Sequence, residues 1–322
     1  MPAGEKVLLI GLDAAEWQII RPLLDAGHLP NLQSLIDRAA HGPLLSPPPL
    51  LSPMLWTTAI TGKRPTRHHI TGPFEPRPDR RGIQIASRFS RRAKTVWEIL
   101  DELSLPSIAV NFPATHPATS RCGTIISNLF PMRPEAAAVH PPKLFDTLKN
   151  FLVQPEEIDA ASLLSFVPQA AQIDAKTDRR LQAITQVLAH TATVHAVATW
   201  CLEHRPWRLA AICYTGLHQF GHLFMQFYPP KQSHIAQRDF ELYHGVIPAA
   251  YRFHDLMLGR LLQLAGPQAN VLLVSDHGFQ SDHRRPPPPM MPSDESLLAW
   301  HKEQGVLILA GPGIEQTQKI IG

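Results

Sequence analysis

Hydrophobic positions along the chain fall into short continuous runs separated by segments of helical spacing. Val7–Leu12 is an apolar run ending in Gly-Leu-Asp, the pattern of a parallel strand buried on both faces. Leu32–Ala39 carries helical spacing, and Gly42 behind it predicts a helix stop. A proline-rich loop, SPPPLLSP, leads into Met54–Ile60, which breaks at Gly62. Val96–Leu103 reads as a helix feeding Ser107–Asn111, a further β-like run. Trp207–Tyr214, Asn270–Ser275 and Gly305–Ala310 are three more. Strands alternating with helices predict an α/β fold with a mostly parallel sheet.

Between about Thr115 and Arg205 the strand signal thins to Thr124–Ser127, while Asp178–Cys201 is alanine- and threonine-rich at helical spacing. A mainly helical cap insertion is expected there. The chain then divides into residues 1–114, the first half of the core; 115–205, the cap; and 206–322, the second half. Arg284–Met291, RRPPPPMM, is expected to be an exposed loop, because its prolines neither pair in a sheet nor continue a helix.

Composition narrows the function classes. A 44% hydrophobic, 18% charged chain has ample apolar surface for a core and is not disordered. A net charge of +3, from 30 Lys+Arg against 27 Asp+Glu, gives no footprint for a nucleic-acid partner. Three scattered cysteines imply no disulfide framework. The start lacks the zones of a signal peptide, and no stretch reaches the ~18 apolar residues of a membrane span, so a cytoplasmic protein is expected. Seventeen histidines point to metal or acid–base chemistry built from imidazole and carboxylate.

Open parallel sheets bind ligands beyond the C-terminal ends of their strands, and two polar clusters fall at such ends. One is Asp13, after Val7–Leu12; taken alone it reads as the cap of the next helix. The other is Asp276-His277, after Val271–Val274; its bland reading is a turn. If those strands are neighbours, two carboxylates and an imidazole converge at metal-ligand distance. His218 and His222, four residues apart, share one helix face and can share a cation; the bland reading of the pair is a surface or capping pair. Ser52-Pro53 is the pattern of an N-cap followed by a first-turn proline. A hydroxyl at a helix start is also well placed for phosphoryl chemistry.

Four blocks in order carry a resemblance: VLLIGLDA; LSPMLWTTAITGKRPTRHHI; GLHQFGHLFMQFYPP with AYRFHDLMLGRLL; and VSDHGF with AWHKEQGVLILAGPGI. Together they resemble the type I phosphodiesterase/nucleotide pyrophosphatase family of the alkaline phosphatase superfamily, over most of the length. The resemblance implies an alkaline phosphatase-like core and two divalent metal ions, commonly zinc, with manganese as the other choice. It implies Asp13, Asp276 and His277 as ligands of one ion and His218, His222 and His301 as ligands of the other. It places the nucleophile on Ser52 and implies a two-metal displacement on a small-molecule phosphate ester.

Three departures qualify the match. His218 stands where the family usually has Asp. Leu55 stands where the nucleotide pyrophosphatases proper carry an Asn, so nucleotide specificity does not transfer. The chain ends shortly after GPGI, where relatives continue, so the C-terminal part of the core is expected to be missing. Two alternatives stay open: a phosphomutase of the same superfamily, and a catalytically degenerate binding or scaffold member. A sulfatase is disfavoured, because Ser52-Pro53-Met54-Leu55-Trp56 lacks the required Arg.

Overall fold

Eight strands build one sheet: β1 (Val7–Leu12), β2 (Ala39–Leu45), β3 (Ser107–Val110), β4 (Thr124–Ile126), β5 (Val139–His140), β6 (Leu209–Tyr214), β7 (Asn270–Val274) and β8 (Gln304–Ala310). Their spatial order is β2-β8-β7-β1-β6-β3-β4-β5. The computed structural model describes residues 6–79, 81–287 and 294–316. The five central strands, β7 to β4, are mutually parallel. β8 runs antiparallel between β7 and β2, and β5 closes the other edge antiparallel to β4. β6, LAAICY, is buried at every residue, as a central parallel strand covered on both faces must be.

Alternate strand residues feed two cores. Leu8, Ile10 and Leu12 point into the larger one with α1 (Trp17–Asp25), α2 (Pro30–Ile36), α5 (Arg180–His204), α6 (Gly216–Phe224) and α7 (Val246–Ala265). Leu9, Ala109, Ala211 and Cys213 point into the other, under α3 (Ser52–Thr61) and α4 (Val96–Glu102), around Trp56, Trp97 and Phe112. A period of two along each strand separates the layers. α4 starts at a reciprocal cap: Glu98 N–H donates to Thr95 Oγ1 at 3.3 Å, and Thr95 N–H donates to Glu98 Oε2 at 2.7 Å.

The structure departs from the sequence pattern in two places. The helix expected over Leu32–Ala39 ends at Ile36, and Gly42 lies inside β2 rather than at a helix stop. The apolar residues from Ala39 onward pair along the whole of β8, an edge register that no local periodicity reveals. Arg285, expected in an exposed loop, is 3% exposed. Its guanidinium donates to the carbonyls of Met225, Tyr228, Pro230 and Asp282. Residues 288–291 of that expected loop lie outside the described ones.

Residues 115–205 contribute β4 and β5 to the sheet edge, a series of short helices, and α5. Ile184, Val187, Val194 and Val197 of α5 are buried in the larger core together with β1 and β6 residues. None of the helices among the described residues is long and apolar enough to cross a membrane.

Candidate active site

β1 and β7 are adjacent, so the residues following them share one end of the sheet. Asp13 N–H still donates to Tyr214 O at 2.9 Å, holding the backbone in register one residue beyond β1. Ala14 then turns the chain with a φ of 64°, a left-handed conformation unusual for a side chain-bearing residue, and its N–H faces Asp276 Oδ1 at 3.5 Å. Asp13 and Asp276 are 2% and 3% exposed. Behind them the buried Glu16 carboxylate accepts from Lys302 Nζ at 3.0 Å and from the backbone N–H groups of Gln18 and Phe279, locking the turn.

Gly11 sets the height of the opposite wall. A Cβ at this position would come 2.7 Å from the Trp56 ring, so only glycine lets α3 lie directly on β1. That contact brings the first residue of α3 over the strand ends. Ser52 is this first helical residue; Leu51 occupies the cap position, and no side chain caps the helix. The expected N-cap role is therefore corrected. The hydroxyl is turned to the strand ends instead, where it donates to Asp13 Oδ1 at 3.0 Å and lies 3.1 Å from His277 Nε2.

The imidazoles are oriented by the main chain. His277 Nδ1–H donates to Gly278 O and His301 Nδ1–H to Leu50 O, each at 2.8 Å, so both Nε2 atoms carry lone pairs into the site. A two-stranded ribbon, Gly278–Phe279 against His301–Lys302, stacks the two rings with centroids 4.0 Å apart. α6 presents His218 and His222 on one face. His222 Nε2 lies 3.1 Å from His218 Nε2 and 3.0 Å from His301 Nε2.

All six residues singled out as ligands thus lie at one end of the sheet with Ser52. Five of them form two groups in which the ligating atoms lie within 4.8 Å of one another: His218, His222 and His301; and Asp13, His218 and His277. His218 belongs to both. Asp276 stands behind the second group, its Oδ2 3.8 Å from His277 Nε2.

The electrostatics suit divalent cations. With His301 Nε2 unprotonated, no assignment of tautomers lets His222 Nε2 hydrogen-bond both His301 Nε2 and His218 Nε2, and His222 Nδ1 and Asp276 Oδ2 are buried without a hydrogen-bond partner. Burial pushes the His222 imidazole down to about 4 and that of His301, also beside His277 and His218, down to about 2. Burial depresses His218 and His277 as well. It raises the carboxyl of Asp13 and, with the adjacent Asp13 charge, lifts that of Asp276 well above the usual range. Neutral imidazoles beside carboxylates that resist ionisation are a donor set that positive charge would stabilise.

The site opens into a cavity of about 380 Å³. Its walls include residues that motif reading passed over: Trp56, Asn111, Thr215, Gln219 and His190. Asn111 follows the end of β3, has a φ of 65°, and donates through Nδ2 to Cys213 O at 2.8 Å. A polar residue directly after a β-run was the signal available for it, the same one that marked Asp13.

Residues 7–288 match the sequence model of the type I phosphodiesterase / nucleotide pyrophosphatase family. No curated protein matches the chain. Among solved structures, phosphonoacetate hydrolase from Sinorhizobium meliloti 1021, bound to phosphonoformate, is similar with a TM-score of 0.51 at 16% identity, covering 86% of this chain and 57% of that one. Human ectonucleotide pyrophosphatase/phosphodiesterase 5 is similar with a TM-score of 0.53 at 11% identity, covering 98% and 91%. The alkaline phosphatase PafA is similar with a TM-score of 0.53 at 12% identity, covering 87% and 64%. At such identities these likenesses establish an alkaline phosphatase-like fold.

Proposed function

The chain belongs to the type I phosphodiesterase/nucleotide pyrophosphatase family, and from that premise we propose that it hydrolyses small-molecule phosphoric esters with Ser52 as nucleophile and two divalent metal ions, zinc foremost. The observation that carries this reading is the Ser52 hydroxyl, hydrogen-bonded to Asp13 at 3.0 Å and facing His277 Nε2 at 3.1 Å. It stands at the wall of a cavity beside three converging imidazoles.

Asp13, His218 and His277 would hold one ion, with Asp276 behind them, and His218, His222 and His301 the other. Bound there, the ions would supply Lewis acidity to the phosphoryl oxygens and leaving oxygen, offsetting the charge that develops on them.

The chain's own groups do the rest. Ser52 Oγ gives up its proton and attacks phosphorus, the Oγ–P bond forms, and the P–O bond to the leaving group breaks, its oxygen taking up one proton to depart as the alcohol. Asp13 Oδ1 and His277 Nε2 are the acceptors within reach of the hydroxyl proton. Water then cleaves the Oγ–P bond and returns the proton to Ser52. Each displacement inverts phosphorus, so the sequence retains configuration overall. Two hydrogen-bonding neighbours at the half-buried start of α3 hold Oγ in place, which lowers the entropic cost of the attack.

Metal analysis of the purified protein, joined to a screen of phosphate monoesters and diesters with and without chelator, tests the reading. Close to two zinc per chain and chelator-sensitive release of alcohol are expected. Protein that takes up no metal, or activity indifferent to the chelator, overturns it.

A further inference from the structure

Resting on this phosphoesterase reading, the chemistry of the cavity wall narrows the substrate. Beyond the ligand cluster, the wall is formed by Pro73, Pro113, Met132, Leu297 and Leu298. Its neutral polar side chains are Asn111, Asn128, Thr215 and Gln219. Among the described residues no lysine or arginine lines the cavity, and its one carboxylate is Asp13. His190 is also on the wall, and burial holds its imidazole down to about 4, so it brings no positive charge near neutral pH.

Two of the polar side chains already spend donors internally. Asn111 Nδ2 donates to Cys213 O at 2.8 Å and Gln219 Nε2 to Thr215 Oγ1 at 3.1 Å. The donors left on these side chains are neutral, and an anion desolvated against proline, leucine and methionine without a cationic partner is disfavoured. Apolar surface, by contrast, is favourably covered there. The volume is compatible with a modest ligand. A cavity of about 150 Å³ accommodates benzene, so about 380 Å³ holds a phosphoryl group and an alcohol of one to two rings. Met132, 68% exposed, continues the apolar wall out to solvent.

We propose that the enzyme takes esters with a single phosphoryl group on an uncharged, apolar alcohol, aryl or alkyl, and discriminates against substrates whose alcohol carries a second anionic group. Polyphosphorylated nucleosides fall in the rejected class.

The test is calorimetric binding to the zinc-loaded protein of three phosphonates whose P–C bond replaces the scissile ester: phenylphosphonate, methylphosphonate and 2-carboxyethylphosphonate. Phenylphosphonate is expected to bind at least tenfold more tightly than either of the others. Leu298→Arg, which adds a cation to the wall and leaves Ser52 and the ligand residues intact, is expected to shift the preference at least tenfold toward the carboxylate compound. Equal or tighter binding of 2-carboxyethylphosphonate by the unaltered protein overturns the proposal, as does an unchanged ratio in folded Leu298→Arg. Absence of binding by all three overturns it too. The underlying phosphoesterase reading fails separately, when the metal-loaded protein cleaves no ester of any class.

Discussion

Ser52 donates its hydroxyl hydrogen to Asp13 Oδ1 across 3.0 Å, joining the first turn of α3 to the end of β1 over 39 positions of sequence. The serine performs no capping, so its side chain serves the site rather than the helix. Ser52→Ala is expected to lower kcat by about 10³-fold or more, at least ~4 kcal/mol of transition-state stabilisation. Metal content should stay unchanged, and unfolding free energy should move by less than about 1 kcal/mol. Turnover, metal analysis and denaturant unfolding on one preparation read all three. Near-normal turnover would falsify the nucleophile assignment.

His218 is common to both donor groups, whereas His301 belongs to one. His218→Ala should therefore depress occupancy at both positions, and His301→Ala at one alone. Stabilisation by zinc follows the same order, because a ligand bound only by the folded state contributes about 2.7 kcal/mol per site at a hundredfold excess over Kd. Thermal unfolding with zinc and with chelator should show the largest shift in the native protein, less in His301→Ala and least in His218→Ala. Equal shifts in the two variants would contradict the shared position.

Gly278 follows His277 directly and opens the ribbon that carries His301. A Cβ there would fall on the Gln304 carbonyl oxygen and the Glu16 carboxylate, neither of which can yield without disturbing β8 or the turn after Asp13. Gly278→Ala is expected to destabilise the fold by about 1–3 kcal/mol, the range for overpacking a filled interior. It should also weaken zinc binding, although no ligand is removed. Urea unfolding and zinc titration of the variant provide the check, and a neutral result on both counts would speak against the packing argument.

Outside the cavity wall, Asp178 accepts from Arg180 Nη2 and from the Tyr243 hydroxyl, each at 2.7 Å. The Arg180 hydrogen bonds hold its carboxyl down to about 2. A carboxyl with a depressed folded-state pKa adds stability that is complete above its ordinary value near 4, and that stability is lost as pH falls toward 2. Asp178→Asn should destabilise the protein by about 1–2 kcal/mol at pH 7, a range that allows for the partial exposure of the pair. The difference from the native protein should shrink between pH 4 and pH 2. A gap that persists at pH 2 would show that the effect is steric and not ionic.

Several features were legible from local pattern. The central strands β1, β6 and β7 stand out because strands inside a parallel sheet flanked by helices are predominantly apolar. The acidic and histidine residues that follow strands stand out because nothing local requires them there. His218 and His222 are four apart on α6, and a helix of that period places them on one face wherever it packs. The strand β2 was hidden, since its pairing with β8 spans most of the chain and its Gly-Pro interior mimics a stop. Arg285 was hidden for a related reason: a charged residue in a proline run reads as surface, and only the fold brings three carbonyls of residues 225–230 around it.

By itself the sequence determined the layer architecture, the ends of the strands where chemistry collects, and the residue types gathered there, because these follow from periodicity and burial within single segments. The tertiary structure alone decided how those residues are shared. That His218 lies between two donor groups, that Ser52 faces Asp13 instead of capping its helix, and that the cavity carries no lysine or arginine among its described walls all depend on distances between segments far apart in the chain. Such distances are set by how closely helices and strands pack, here by the bare Gly11 under Trp56 and the ribbon at Gly278, and packing closeness has no signature in a one-dimensional pattern.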